Sequence, residues 1–288
     1  MINSIFKCSA TLALEAPTSS PILFRGNLCD NIIKSKQFGF DAVEIHIRKP
    51  DEVDAEEIKK SCSKNNIAVS TLGTGMSYTI DGLSLTSLDL TVKTAAIDRI
   101  KEYVDLAEKL DCGVIIGSMK GKINPDFHDK HLLEYKDSIS KIAGYAFEKN
   151  VPIYIEAINR YEINFHNTLK EQAEFLLCYN NSTTKMMIDT FHMNIEEPDL
   201  EESIKKYGKL IGHAHFADSN RLYPGAGHID FLNIMNSLLE IQYSGYVAFE
   251  YLPYPDPDTA AKYGLEYLRQ KEIEVNELCF KSEPGSKK

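Results

Sequence analysis

Three carboxylates and one imidazole close four consecutive apolar runs in the second half of the chain. Pro152-Ile153-Tyr154-Ile155 leads to Glu156, Met186-Met187-Ile188 to Asp189, Leu210-Ile211-Gly212-His213-Ala214 to His215, and Tyr246-Val247-Ala248-Phe249 to Glu250. One acid at the end of an apolar run is ordinary, because such residues anchor loops and cap turns. Brought together in one place, three carboxylates would repel one another and take up protons unless a cation joined them. A divalent metal resolves that conflict. Oxygen-rich coordination with one imidazole suits Mn²⁺ or Mg²⁺, with Co²⁺ also possible, better than the sulfur- and nitrogen-rich sets of structural zinc. His192, three positions after Asp189, reads as a loop residue just past its strand. His213, one layer below His215, reads as a hydrogen-bonded core histidine and not as a fifth ligand.

Such a constellation needs elements that carry four strand ends to one mouth. Short apolar runs at 5–11, 42–47, 68–72, 113–119, 152–158, 185–191, 210–217 and 246–252 read as strands. Between them lie amphipathic segments at 28–38, 54–65, 91–110, 128–149, 169–179, 200–209, 231–241 and 260–280. The clearest places Ile97, Ile100, Val104, Ala107 and Leu110 on one stripe at helical spacing. Alternating strands and helices demand a parallel sheet with helical crossovers, and eight such units close into an α/β (β/α)8 TIM barrel. An open doubly wound sheet is the alternative. It would place a Gly-rich phosphate turn after the first strand, and residues 12–27 carry no G-x-G-x-x-G. With no Pro/Gly/Ser linker in mid-chain, a single catalytic domain is expected over residues 1–281, followed by a polar tail at 282–288 that should fray. In a barrel the chemistry sits at the C-terminal strand ends. Strand parity turns Glu156, Asp189 and Glu250 inward if Ile155, Ile188 and Phe249 point out to the helices.

The bulk composition is that of a globular enzyme. Of 288 residues, 43% are hydrophobic and 26% charged, which argues against disorder, a fibrous protein or a membrane protein. The net charge of −10 makes a nucleic-acid backbone a poor partner, since phosphate binding needs a clustered positive surface. The six cysteines are scattered without a Cys-x-x-Cys pair and read as core fillers of a reducing compartment. No basic n-region opens the chain, and no apolar run approaches the roughly 20 residues that span a bilayer, so no membrane partner is expected and the cytoplasm is the expected location.

The loops after these strands hold a second tier of polar groups. Glu156 is followed by Ala157-Ile158-Asn159-Arg160-Tyr161-Glu162, and His215 by Phe216-Ala217-Asp218-Ser219-Asn220-Arg221, both rich in groups that suit sugar hydroxyls. Taken together, Glu156…Asp189-x-x-His192…His213-x-His215…Glu250 with these two loops resembles the xylose-isomerase-like TIM barrels. Within them it looks most like the ketose 3-epimerases (D-tagatose and D-psicose 3-epimerase) and the 5-keto-gluconate epimerases. Gly73-Thr74-Gly75, Asp81-Gly82-Leu83-Ser84-Leu85-Thr86 and Val114-Ile115-Ile116-Gly117 are more similar to the keto-gluconate branch. One departure is Ala157, where proline commonly follows the first metal-binding Glu; it alters loop stiffness and not the ligand set.

The resemblance implies Glu156, Asp189, His215 and Glu250 as metal ligands, with Glu156 and Glu250 doubling as an acid/base pair. It also implies Glu162, His192 and Arg221 as substrate contacts. The chemistry agrees: inverting a carbon next to a carbonyl requires a base on each face, and a metal on the carbonyl and hydroxyl oxygens stabilises the cis-enediolate. The expected activity is therefore a divalent-metal-dependent epimerase of a free ketose or keto-sugar acid, assembled as a homo-oligomer, dimer or tetramer. An aldose–ketose isomerase or a sugar-phosphate 3-epimerase would use the same metal site. Lys120 and Lys122, just past the fourth strand, are candidates for an anionic end of the substrate, against the plain reading of exposed loop lysines. An endonuclease on the same barrel would call for more metal ligands and a basic face, and a sugar-binding module would have no use for paired glutamates.

Overall fold

The structure, a computed structural model, describes residues 4–179 and 182–282. Its organising element is a closed parallel sheet. The barrel strands are β1 (Lys7–Ala13), β3 (Ala42–His46), β4 (Ala68–Gly73), β5 (Gly113–Ile116), β6 (Ile153–Glu156), β7 (Thr184–Asp189), β8 (Ile211–His215) and β9 (Tyr246–Phe249). Each pairs in parallel with the next, and β9 closes on β1 with Lys7 opposite Tyr246 and Ala10 opposite Phe249. A two-residue strand, β2 (Phe24–Arg25), adds to β1 where Leu12 faces Phe24. This is the expected (β/α)8 barrel, a single domain.

The helices that cross between strands are those the apolar stripes foretell. They include α1 (Leu28–Phe38), α2 (Ala55–Asn65), α4 (Leu90–Leu110), α5 (His128–Glu148), α6 (Leu169–Leu176), α8 (Leu200–Tyr207), α9 (Phe231–Glu240) and α10 (Pro257–Ser282). In α4 the predicted stripe Ile97, Ile100, Val104, Ala107 and Leu110 is buried, together with Ala96 and Tyr103. Asp54, Asp89, Thr168, Asp199 and Asp230 accept backbone N–H groups at helix starts, satisfying donors that a helix leaves free. Ser282 ends α10, and the rest of the expected tail, 283–288, lies outside the described residues.

Two short helices were not foreseen, and both bear on the barrel mouth. α3 (Gly75–Thr79) follows β4, and α7 (Thr190–Glu196) follows β7. The run expected as strand to residue 191 stops at Asp189, whose Oδ1 accepts the N–H groups of Phe191 (2.7 Å) and His192 (3.2 Å) and so starts α7. His192 therefore stands on a helix and not in a loop. The runs expected to reach 158, 217 and 252 also stop early, at Glu156, His215 and Phe249. The fourth stops at Ile116, where Gly117 turns the chain into a 3-10 turn, Ser118–Lys120.

Threonines clasp neighbouring strand ends at the mouth. Thr190 Oγ1 donates to Ala217 O (2.6 Å) and accepts from Ala217 N (2.9 Å), joining the ends of β7 and β8. Thr11 Oγ1 donates to Phe249 O (2.8 Å), and Thr74 Oγ1 to Ile115 O (2.7 Å). These bonds satisfy carbonyls that the ladder no longer reaches. The register shifts twice, where Ser70 of β4 is extra opposite Val43 and Glu44 and where Gly212 of β8 is extra opposite Met186 and Met187. Such irregularities re-aim the side chains that follow them.

Candidate functional site

Inward parity at the ends of β6 to β9 brings the predicted residues into one buried mouth. Glu156 is 6% exposed, Asp189 fully buried and His215 1% exposed, while the Glu250 side chain retains 13%. His215 Nδ1 lies 3.4 Å from Glu250 Oε2 and 3.7 Å from Asp189 Oδ2, and His192 Nε2 lies 3.5 Å from Glu156 Oε1. Donor atoms of Asp189, His215 and Glu250 all fall within 4.8 Å of one another, and so do those of Glu156, Asp189 and His192, which makes Asp189 the shared member. With Oδ1 committed to the start of α7, Asp189 Oδ2 is buried without a hydrogen-bond partner, as is Nδ1 of His215. Buried polar atoms left unpaired are costly, and a carboxylate oxygen and an imidazole nitrogen left so side by side can both be satisfied by one cation. The donor set fits a divalent metal.

Gly117 makes room for this arrangement. A Cβ at that position would lie 2.3 Å from Glu156 Oε2, so any larger residue would push the carboxylate aside.

The same burial sets the two glutamates apart electrically. Desolvation, with repulsion from Glu250 and Asp189, pushes Glu156 up to about 8. Burial also opposes ionisation of Glu250, yet His215 and Arg221 outweigh it and hold that carboxyl below its ordinary value. Asp189 likewise overcomes burial through His192, His215 and Arg221 and falls to about 2. His215 is raised well above its ordinary value because Glu44 and Glu250 prevail over desolvation, whereas burial lowers His192. Two carboxyls in one site whose environments push their protonation in opposite directions have the form of an acid and a base.

Around them stands a polar rim. Arg221, in the left-handed region at φ 59°, places Nη1 2.8 Å from Glu162 Oε1 and Nη2 3.5 Å from Glu250 Oε2, with its guanidinium 4.8 Å from the Phe191 ring centroid. Asn159 fixes His192: its Oδ1 accepts from Tyr161 N (3.0 Å), which turns Nδ2 to donate to His192 Nδ1 (2.7 Å) and Glu162 Oε1 (3.1 Å). His192 is thus left with its proton on Nε2, facing Glu156. Asp218, expected among loop groups for a sugar, is instead fully buried and holds its own loop. Its oxygens accept from Ser219, Gly225 and Ile229 N–H groups at 2.7, 2.8 and 3.1 Å.

Lys120 differs from its expected place. It is fully buried, and Nζ donates to Glu156 O (2.6 Å) and His166 O (3.3 Å), 5.5 Å from the Phe165 ring centroid. Burial pushes the ammonium down to about 8. Two of its three donors go to the backbone and the side chain is fully buried, which argues against the expected contact with an anionic substrate. Lys122 is exposed, as a loop lysine is.

Sequence reasoning missed the layer beneath. Glu44 and His46 on β3 point into the barrel, where Glu44 meets His213 as well as His46. The signal was present as a carboxylate and an imidazole two apart in an apolar run, the same alternation as His213-x-His215. His213 is the hydrogen-bonded core histidine expected of it.

With this geometry in view, the comparisons agree among themselves. Residues 32–271 match the family described as xylose isomerase-like TIM barrel. The D-psicose 3-epimerase of Agrobacterium fabrum is 33% identical over 227 residues, covering 76% of this chain and 77% of its own. The 3-dehydro-D-guloside 4-epimerase of Escherichia coli is 28% identical over 266 residues, covering 89% and 99%. Among solved structures, a D-allulose 3-epimerase from Methylomonas sp. in complex with D-allulose superposes with a TM-score of 0.77 at 23% identity, over 92% of this chain and 97% of that one.

The raised Glu156 makes cation binding pH-dependent. Its proton is held in the metal-free fold, so this group's contribution to stability is complete below its ordinary 4.5 and is lost as pH rises through about 8. A cation must displace that proton. His215, also held protonated, must give up a proton as well, so Mn²⁺ affinity is expected to rise by at least about tenfold per pH unit below about 8, with proton release on binding. Calorimetry in buffers of different ionisation enthalpy measures both, and an affinity flat from about pH 6 to 8 would contradict the protonation state assigned to Glu156.

Proposed function

Because the chain belongs to the xylose isomerase-like TIM barrel family, we propose that Glu156, Asp189, His215 and Glu250 hold one divalent cation, and that the chain inverts a carbon next to the carbonyl of a free ketose or keto-sugar acid. Its relatives are carbohydrate epimerases, and the chain is an isomerase of that class. The names of those relatives differ in the carbon inverted but share a chemistry. Carbon 3 of a 2-ketose and carbon 4 of a 3-keto sugar both adjoin the carbonyl, so each carries a hydrogen that the carbonyl acidifies.

The observation that carries this reading is the opposed protonation of Glu156 and Glu250. β6 and β9 are separated around the barrel by β7 and β8, so the two carboxyls approach the space between them from different sides. Glu250, held ionised, takes the hydrogen from the carbon as a proton, and the C–H electron pair passes into the carbonyl to give a cis-enediolate. Glu156, the carboxyl of higher proton affinity, regains a proton from solvent in the substrate complex and delivers it to the opposite face. In the reverse direction the two exchange roles. The bound cation supplies a Lewis acid for the carbonyl and neighbouring hydroxyl oxygens. Arg221 and the Nε2–H of His192 offer donors to oxygens near the developing charge, and Glu162, paired with Arg221, accepts from a hydroxyl. We assign Lys120 to holding the backbone of Glu156 rather than to substrate.

Mn²⁺ is the proposed metal, with Mg²⁺ or Co²⁺ as alternatives for this oxygen-rich set. The free thiols of Cys8, Cys29, Cys62, Cys112 and Cys178 support a cytoplasmic setting. A homo-oligomer, dimer or tetramer, would cover exposed apolar side chains such as Leu133 and Leu177. A sugar-phosphate epimerase or an aldose–ketose isomerase is the second reading. The first of these is disfavoured by Lys120, whose ammonium is turned to the backbone and not left for a phosphate.

Two experiments test the reaction. Metal-loaded protein incubated with ketoses, keto-sugar acids and sugar phosphates in deuterated water should place deuterium at the epimerised carbon. Absence of exchange with every member of the panel would sink the epimerase reading. Glu156→Gln and Glu250→Gln should each lower kcat by about 10²–10⁴-fold with circular dichroism unchanged. Activity within tenfold of wild type in either variant would remove the two-base mechanism.

A further inference from the structure

Beneath the strand ends, one buried carboxylate faces three histidines. Glu44 Oε1 lies 2.7 Å from His46 Nε2 and 2.9 Å from His215 Nε2, while Oε2 lies 2.7 Å from His213 Nε2 and 2.5 Å from Thr71 Oγ1. Glu44 has no exposure and faces the barrel by the same strand alternation as His46, while the extra residue Ser70 on β4 brings Thr71 opposite it. Four donor groups from β3, β4 and β8 thus converge on two oxygens. An ionised carboxylate accepts and does not donate.

That arrangement decides which nitrogen of His215 is free. With a cation bound, His215 is neutral and carries one N–H, which stays on the nitrogen nearer a carboxylate oxygen: Nε2 lies 2.9 Å from Glu44, against 3.4 Å from Nδ1 to Glu250. Nε2 faces Glu44, so the lone pair remains on Nδ1, the atom turned toward Asp189 Oδ2 and Glu250 Oε2. We propose that Glu44 is a positioning residue that sets the tautomer and orientation of His215 and thereby presents Nδ1 to the divalent cation, an inference that rests on the cation reading above. Carboxylates that orient a metal-bound imidazole in this way tune its affinity for the metal.

The other two histidines hold the anchor itself. The His213 ring stacks on Tyr154 with centroids 5.5 Å apart. His46 is seated where Gly73 has no side chain, since a Cβ there would lie 2.4 Å from His46 Nδ1. Glu44, His213 and His215 also lie close enough to hold a cation of their own. The 2.7 Å and 2.5 Å contacts of Glu44 with His213 and Thr71 are hydrogen-bond lengths, which favours protons between these atoms and not a second metal.

The test is a titration of metal-free wild type and Glu44→Gln with Mn²⁺, read by electron paramagnetic resonance. The amide keeps one acceptor oxygen and presents an N–H₂ to an imidazole N–H, so His215 should turn or change tautomer. The Kd is expected to rise about 10- to 100-fold. A Kd within twofold of wild type would overturn the proposal, as would a wild type that binds two Mn²⁺ and loses one in the variant. Should the variant fail to fold, ¹⁵N-edited imidazole spectra of the Mg²⁺-loaded wild type decide the matter. A proton on His215 Nε2 with Nδ1 bare supports the role of Glu44, and a proton on Nδ1 overturns it. Turnover enters neither readout. A wild type that binds Mn²⁺ but epimerises nothing would contradict the proposed activity, while the rise in Kd would still support the positioning role.

Discussion

Burying three carboxylates at one end of a barrel is the constraint on which the rest of this structure depends. Each acid placed there loses hydration, and an unpaired charge in a low-dielectric site either finds a partner or gives up its ionised form. The chain answers differently at each position. Asp189 spends one oxygen on the start of α7 and is held ionised by neighbouring cations, Glu250 lies beside His215 and Arg221, and Glu156, opposed by both carboxylates, keeps its proton. That uneven solution, one carboxyl protonated between two that are ionised, has the form of an acid beside a base.

The supporting parts hold the donors still. Asp218 braces the loop that carries Arg221, Asn159 fixes the ring of His192, Lys120 holds the backbone at Glu156, and Glu44 gathers three histidines below. Gly117 and Gly73 contribute by absence, each leaving space for a functional side chain that a Cβ would displace. Catalysis and metal binding both reward such preorganisation, since an interaction already in place costs no rearrangement at the moment of reaction.

The fold was legible because its signals are periodic. Alternating apolar runs and helical stripes recur around the whole barrel, and α1 and α4 fall within a residue of their expected bounds. The four strand-end residues were legible for the same reason, each being a polar residue that interrupts an apolar run. Boundaries at the mouth were not, because Phe191, Ala217 and Leu252 look like strand continuations, whereas a local cap at Asp189 starts α7 and bonds to distant segments, Ala217 to Thr190 and Leu252 N to Arg221 O, hold the others off the ladder. Glu44 stayed hidden because its meaning lies in contacts with β8, far away in sequence. Lys120 misled because a lysine in the run Ser118-Met119-Lys120-Gly121-Lys122 reads as a loop residue, and nothing local announces that Glu156 O and His166 O will receive its ammonium.

The central claim is that one cation joins the ends of β6 to β9. Anomalous diffraction from crystals of the Mn²⁺-loaded protein tests it most directly. The account predicts one peak bonded to Glu156, Asp189, Glu250 and Nδ1 of His215. A peak held instead by Glu44 and His213, or one that leaves out Glu156 or Glu250, would contradict it.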